Sequence, residues 1–130
     1  LGILASICRA ADSFILDPQE AFILSGSTRS NKEIVLNYHI EEGYYLYKSK
    51  FEVISLSEST LIGDPIFFGG EKHTDEFFGE TVVFRNATTI VVPLIKPIDG
   101  TFQILVTAQG CTDSGFCFIP FDTVVDIYAF

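Results

Sequence analysis

The sequence predicts an all-β domain, an antiparallel β-sandwich, and three observations carry that expectation. Short runs of β-branched and aromatic residues recur between clusters of Gly, Pro, Asn and Asp. The clearest of them alternate apolar and polar residues with a period of two. No window of ten or more residues shows a convincing helical period. The 130 residues fit one domain and are enough to bury a sizeable core. Thirteen Phe and five Tyr, with no Trp and no Met, build that core from aromatic and β-branched side chains.

At the N-terminus, Leu1 to Ala11 is a short apolar run ending in small residues. It reads as the tail of a signal peptide, with cleavage after Ala10 or Ala11. Residues 1–11 are then a leader remnant and 12–130 the mature domain. The other reading is an ordinary buried N-terminal strand. A lipoprotein site at Cys8 fits less well, because Ile7 is larger than the small residue such a site wants. Ala21 to Leu24 is a short strand stopped at Ser25-Gly26-Ser27. Glu33 to Glu41 alternates, with Ile34, Leu36, Tyr38 and Ile40 on one face and Val35, Asn37, His39 and Glu41 on the other. Glu42-Gly43 marks a turn. In the next strand Tyr45 and Tyr47 share a face, and Tyr44 takes the other with Leu46. Phe51 to Leu56 follows. Asp64-Pro65 and Gly69-Gly70 bound a loop region reaching to about Gly79. Thr81 to Phe84, Thr88 to Leu94, Thr101 to Gln109 and Thr123 to Ile127 complete the set. This many short strands favours an immunoglobulin-like sandwich over an α/β arrangement.

Charge and motif content exclude several functions. Eight basic against seventeen acidic residues give a formal charge of −9, which argues against a nucleic-acid surface built on Lys and Arg. No apolar run approaches the roughly 20 residues of a membrane span, so membrane association is expected only through sequence outside this chain. No nucleophile elbow or phosphate loop is present, and nothing requires a cofactor. Asn86-Ala87-Thr88 matches a glycosylation sequon by chance in a turn. Zinc is poorly served, since Cys111 and Cys117 lack a four-ligand set and His39 and His73 do not cluster with them.

Attention therefore falls on Gln109-Gly110-Cys111-Thr112-Asp113-Ser114-Gly115-Phe116-Cys117. The spacing lets the two sulfurs close a small ring across a turn. Such a ring stabilises by only about 2 to 2.5 kcal/mol in the chain-entropy account. An inert structural disulfide is one reading. The polar insert Thr112 to Gly115, expected near solvent, suits thiol–disulfide exchange instead. In Asp75-Glu76-Phe77-Phe78-Gly79, two carboxylates precede two aromatics and a glycine. That loop is either a solvated acidic loop with core-plugging Phe side chains or a lid over a reactive site. A carboxylate beside a thiol disfavours the thiolate. Tyr45 and Tyr47 are either cross-strand packing or an aromatic wall beside the cysteines.

Four segments, in order, resemble the N-terminal periplasmic domain family of the bacterial thiol:disulfide interchange protein DsbD. They are Glu42 to Lys48, Asp75 to Gly79, Gln109 to Cys117, and the following Pro120, within a resemblance spanning about Ala21 to Ile127. It implies an immunoglobulin-like sandwich with an inserted catalytic subdomain and a cap loop. It implies a periplasmic domain of a bacterial inner-membrane protein, reduced by a C-terminal thioredoxin-like domain of the same protein. The domain would in turn reduce periplasmic disulfide isomerases and a cytochrome c maturation thioredoxin. Under the resemblance Cys117 is the exchanging thiol and Cys111 its resolving partner. Phe77 is on the shielding cap, Asp75 and Glu76 are acidic neighbours, and Tyr45 and Tyr47 line the site. Two departures stand out: Phe78 replaces an expected Tyr, and Phe118-Ile119-Pro120 replaces a Tyr followed by two prolines. The competing expectation is a non-enzymatic immunoglobulin-like interaction domain with a small structural disulfide. A metal carrier using the two cysteines is a third.

Overall fold

A computed structural model describes residues 14–98 and 100–129. The expected leader, with Cys8, lies outside the described residues. The described chain is antiparallel β throughout, relieved by a single helical turn at Pro18–Ala21 and a 3-10 turn at Lys48–Lys50.

Two sheets make the sandwich. The first has the order β1 (Phe22–Arg29), β2 (Glu33–Ile40), β8 (Ala87–Pro93) and β5 (Ile66–Phe67). The other has β11 (Phe121–Ala129), β9 (Gly100–Ala108) and β4 (Glu52–Ser55). β2 shows why these residues form this sheet. Its alternation puts Ile34, Leu36, Tyr38 and Ile40 in the core, while Asn37 and His39 face solvent. A one-residue slip against β1 or β8 would turn that whole set outward. From the facing sheet Phe102, Ile104, Val106, Val125 and Ile127 complete the core. Each such side chain contributes about 1.5–3 kcal/mol by leaving water.

A third sheet stands on this sandwich, ordered β10 (Gly110–Thr112), β3 (Tyr44–Tyr47), β7 (Gly79–Phe84) and β6 (Glu71–Asp75). Its strands come from separate stretches of the chain, which corresponds to the inserted subdomain expected above. β3 is the shared wall, and all four of its residues are buried. Tyr44 and Leu46 belong to the sandwich core. Tyr45 and Tyr47 look the other way, into a small second cluster with Val83 and Cys111.

Three local expectations are corrected. The first strand does not stop at Ser25-Gly26-Ser27 but pairs with β2 from Phe22↔Ile40 to Arg29↔Glu33. Gly26 is there for space: a Cβ would come within 2.6 Å of Ile127 Cδ1 and 2.8 Å of Val125 Cγ1, so glycine lets β1 close on β11. The region from Asp64 to Gly79 is not a long loop, since it contains β5 and β6. Thr112 is not near solvent either; it is a buried strand residue opposite Tyr44.

Candidate functional site

The site is assembled on β3 from both sides. β10 pairs with it antiparallel, Gly110 opposite Leu46 and Cys111 opposite Tyr45. Gly110 makes that approach possible, because a Cβ there would lie 2.3 Å from the Tyr45 carbonyl oxygen. Cys111 and Cys117 face one another across an isolated antiparallel bridge with Cα atoms 4.0 Å apart, and their sulfurs are bonded. The intervening turn is closed by Thr112 N–H donating to the Phe116 carbonyl at 2.7 Å and Gly115 N–H to the Thr112 carbonyl at 3.1 Å. Phe118, the first residue past the ring, is buried against Phe22 and Tyr44 in the sandwich core. Its aromatic ring thus anchors the exit of the turn. The two cysteines are not equivalent: Cys111 is 0% exposed, whereas Cys117 is only partly buried.

On the other side, β6 and β7 form a hairpin whose register runs from Glu71↔Val83 to Asp75↔Gly79. The expected cap is the tip of this hairpin, with Glu76, Phe77 and Phe78 between the two strands. The tip is organised by Asp75. Its Oδ1 accepts the backbone N–H groups of Phe77 at 2.9 Å and Phe78 at 2.8 Å, an Asx-type turn. Its Oδ2 accepts the hydroxyls of Tyr45, at 3.0 Å, and of Tyr47. Burial raises the Asp75 pKa, but the hydrogen bonds from Tyr47, Phe78, Tyr45 and Phe77 outweigh it, and the carboxyl stays below the usual Asp range. Burial first, then the hydrogen bond to Asp75, pushes the Tyr47 phenol far above its ordinary value. Tyr45 is raised chiefly by burial as well. The Tyr47 hydroxyl also lies 3.0 Å from Cys111 Sγ, so Asp75, Tyr47 and Cys111 form one continuous chain of contacts.

The structure thus brings together Asp75, Tyr45, Tyr47, Cys111 and Cys117. Phe78 sits edge-on to Tyr47, centroids 4.7 Å apart, with Lys50 Nζ 4.6 Å from its ring centre. Phe77, 49% exposed, lines a cleft of about 180 Å³ with Tyr45, Asp75, Thr112, Asp113 and Gly115. Glu76 is at the exposed tip and lines the same cleft. His39 is exposed on β2, in the first sandwich sheet. His73 lies against the Tyr45 ring, centroids 4.4 Å apart, with Nε2 3.8 Å from Asp75 Oδ2.

Sequence reasoning missed Arg85. Its guanidinium holds Asp113 with two bonds, Nη2 to Oδ1 at 2.8 Å and Nη1 to Oδ2 at 3.2 Å. Its Nε meets Glu71 at 2.9 Å, and its central carbon lies 4.9 Å from the Tyr45 ring centre. No spacing rule links a residue at the end of one strand to a turn 28 positions on. The one available sign was an Arg directly after the β run Thr81 to Phe84 in an acidic chain.

The family model for the N-terminal part of the thiol:disulfide interchange protein DsbD matches residues 12–129. The chain is 32% identical over 114 residues to the DsbD of Neisseria meningitidis serogroup B, covering 88% of this chain and 19% of that protein. It is 38% identical over 97 residues to the DsbD of Klebsiella pneumoniae, covering 75% of this chain and 16% of that protein. The chain therefore spans less than a fifth of the length of these relatives. Among solved structures, the reduced N-terminal domain of Neisseria meningitidis DsbD superposes with a TM-score of 0.80 at 31% identity, covering 92% of each chain. A complex between the DsbD N-terminal and PilB N-terminal domains of the same organism gives 0.73 at 29% identity, covering 86% of each chain. The fold agrees, and the match spans both faces of β3 with the cysteine turn and the hairpin tip. This chain belongs to the family of DsbD N-terminal domains.

Proposed function

We propose that residues 12–130 form a periplasmic thiol–disulfide exchange domain that carries reducing equivalents to the disulfides of thioredoxin-like partners. The observation that carries this reading is a disulfide between two unequally buried cysteines, Cys111 fully buried and Cys117 only partly. The family's own name is thiol:disulfide interchange protein. A relative's N-terminal domain is known in complex with a second protein's domain, which supports partner docking here. The upstream donor on this reading is a thioredoxin-like C-terminal domain of the same protein, held in a bacterial inner membrane by segments outside this chain. The acceptors are periplasmic disulfide isomerases and a cytochrome c maturation thioredoxin.

The chemistry follows from the contacts. In the reduced domain the Cys117 thiolate attacks one sulfur of the partner's disulfide. That bond breaks, a Cys117–partner disulfide forms, and the partner's other sulfur leaves as a thiolate that takes up a proton. Cys111 then gives up its proton and attacks Cys117 Sγ. The mixed disulfide breaks, the second partner thiolate leaves, and Cys111–Cys117 is restored. Two electrons have passed to the partner.

Asp75 and Tyr47 act on the resolving thiol. With the hairpin tip closed, the Tyr47 hydroxyl donates to Asp75, which leaves only its oxygen lone pairs for Cys111. A Cys111 S–H donating to that oxygen is held neutral, and the nearby carboxylate further disfavours the thiolate. When the tip lifts, Asp75 withdraws. The Tyr47 hydroxyl is then free to donate to Cys111 sulfur and to stabilise the attacking thiolate. The cap carrying Phe77 and Phe78 thus keeps the reduced pair quiet until a partner displaces it.

The decisive experiment is Cys111→Ser. The reduced variant is expected to trap a mixed disulfide between Cys117 and a thioredoxin-like domain, seen as a covalent adduct on a non-reducing gel and located by mass spectrometry. No adduct in either Cys111→Ser or Cys117→Ser overturns the exchange reading. An adduct through Cys111 in Cys117→Ser alone reverses the assignment of the two roles.

A further inference from the structure

Arg85 touches three parts of the site at once. It follows the last residue of β7, and the backbone turns sharply there: Asn86 has φ of +65° and the Ala87 N–H donates back to the Arg85 carbonyl at 2.7 Å. The guanidinium is therefore presented from a constrained turn rather than from a free loop. It holds Asp113, inside the cysteine ring, with a two-point fork, and Glu71 at the base of the hairpin that carries the cap. Its central carbon lies over the ring of Tyr45, whose hydroxyl donates to Asp75. Asp113 is itself tied to β3 by its N–H donating to the Gly43 carbonyl at 2.8 Å. A two-point fork onto a carboxylate fixes direction as well as distance, which a lysine cannot do.

We propose that Arg85 is the positioning residue that locks the cysteine ring to the base of the cap hairpin, so that ring and cap move together. This rests on the exchange reading above and says how that site is gated. With the fork made, the Thr112–Phe116 turn cannot shift outward while β6 stays in place. A partner that lifts the tip pulls on β6, and through Glu71 and Arg85 on the turn leading to Cys117. Without the fork the turn swings independently, and Cys117 becomes reachable with the cap still closed. The side chain is a quarter exposed and Asp113 half exposed. The contact is therefore available to be broken and remade during a reaction cycle, and it adds little to global stability.

The test is the rate of alkylation of Cys117 by iodoacetamide in the fully reduced chain, followed across pH with the site read by mass spectrometry. The rate plateau at high pH reports access; the midpoint reports the charge around the thiol. Arg85→Lys keeps the charge and loses the fork, so its plateau is expected to rise on the order of tenfold with its midpoint unmoved. Arg85→Gln raises the plateau similarly and moves the midpoint to higher pH, because the carboxylates of Asp113 and Glu71 are left uncompensated. Asp113→Asn, an exposed change that leaves the fold intact, is expected to match the plateau of Arg85→Lys, and the double variant to add nothing further. Unchanged plateaus in Arg85→Lys and Asp113→Asn overturn the proposal, as do independent, additive effects of the two. The same wild-type preparation is reacted with an oxidised thioredoxin-like domain. Failure there sinks the exchange reading, whereas normal exchange with unchanged plateaus sinks only the role of Arg85.

Discussion

At the scale of single residues, one carboxylate organises the site. Asp75 accepts four hydrogen bonds from two tyrosines and two backbone amides, and its pKa is lowered in the folded chain. The sign of the pH effect follows. A carboxyl whose folded pKa lies below its unfolded value, about 3.9, contributes stability fully present above that value and lost as pH falls through the folded pKa. Asp75→Asn removes this contribution. The stability difference between wild type and Asp75→Asn, from urea unfolding, is expected to be constant between pH 7 and about 5. It should shrink on further acidification. A difference that stays level down to pH 2 would show that the four bonds do not favour the ionised form. Asp75 was picked out in the sequence for its charge beside two aromatics. Its role as hub was hidden, because Tyr45 and Tyr47 lie some thirty positions away and meet it only through the pairing of β3 with β7 and of β7 with β6.

At the scale of elements, the segment proposed as a cap is a hairpin tip and not a free loop. Phe78 edge-on to Tyr47, Lys50 over Phe78 and the Asp75 bonds hold the tip against β3. An edge-to-face aromatic pair is worth about 0.5–1.5 kcal/mol, so losing it raises the open population by about two- to tenfold. Phe78→Ala is expected to speed oxidation of the reduced pair by a small disulfide in that range. Phe77→Ala, which empties one wall of the cleft beside the cysteine turn, is expected to speed it as well. Stopped-flow with oxidised glutathione measures both; rates equal to wild type for both variants would remove the shielding idea. Lys50 over the Phe78 ring is a cation–π contact that a Tyr at this position would accept equally, so the departure at 78 costs the tip no cation contact. β6 itself was missed in the sequence because Glu71-Lys72-His73-Thr74-Asp75 has no apolar face. It is an edge strand held by its ladder with β7 and by Asp75, and period-two reading needs a buried face to detect a strand.

At the scale of the whole molecule, the sandwich core and the cluster around Cys111 are separate bodies of packing joined by β3. The main core contains no sulfur from the Cys111–Cys117 pair, and the bond closes only a short ring. Reduction is therefore expected to cost about 2 to 2.5 kcal/mol of unfolding free energy and to leave the fold intact. Urea titrations of the oxidised and reduced chain read this directly. A loss beyond about 5 kcal/mol, or collapse of the β circular dichroism on reduction, would make the bond a staple and not a working pair. Independence of this kind suits a relay, since a domain that cycles between dithiol and disulfide must be folded in both states.

The sequence by itself determined the fold class and singled out the cysteine pair. Alternation in Glu33 to Ile40 dictates which face is buried, because side chains on a strand point alternately up and down. The spacing of Cys111 and Cys117 dictates a small closable ring, and the split of Tyr44 and Leu46 from Tyr45 and Tyr47 follows from the same period of two. What only the tertiary structure decided is which distant groups meet. The tie from Arg85 to Asp113 and Glu71, the placement of Asp75 on the tyrosines, and the unequal burial of the two cysteines all depend on strands from four stretches of chain lying side by side. Strand register converts sequence distance into contact, and it is set by the packing of the whole sheet rather than by any single segment.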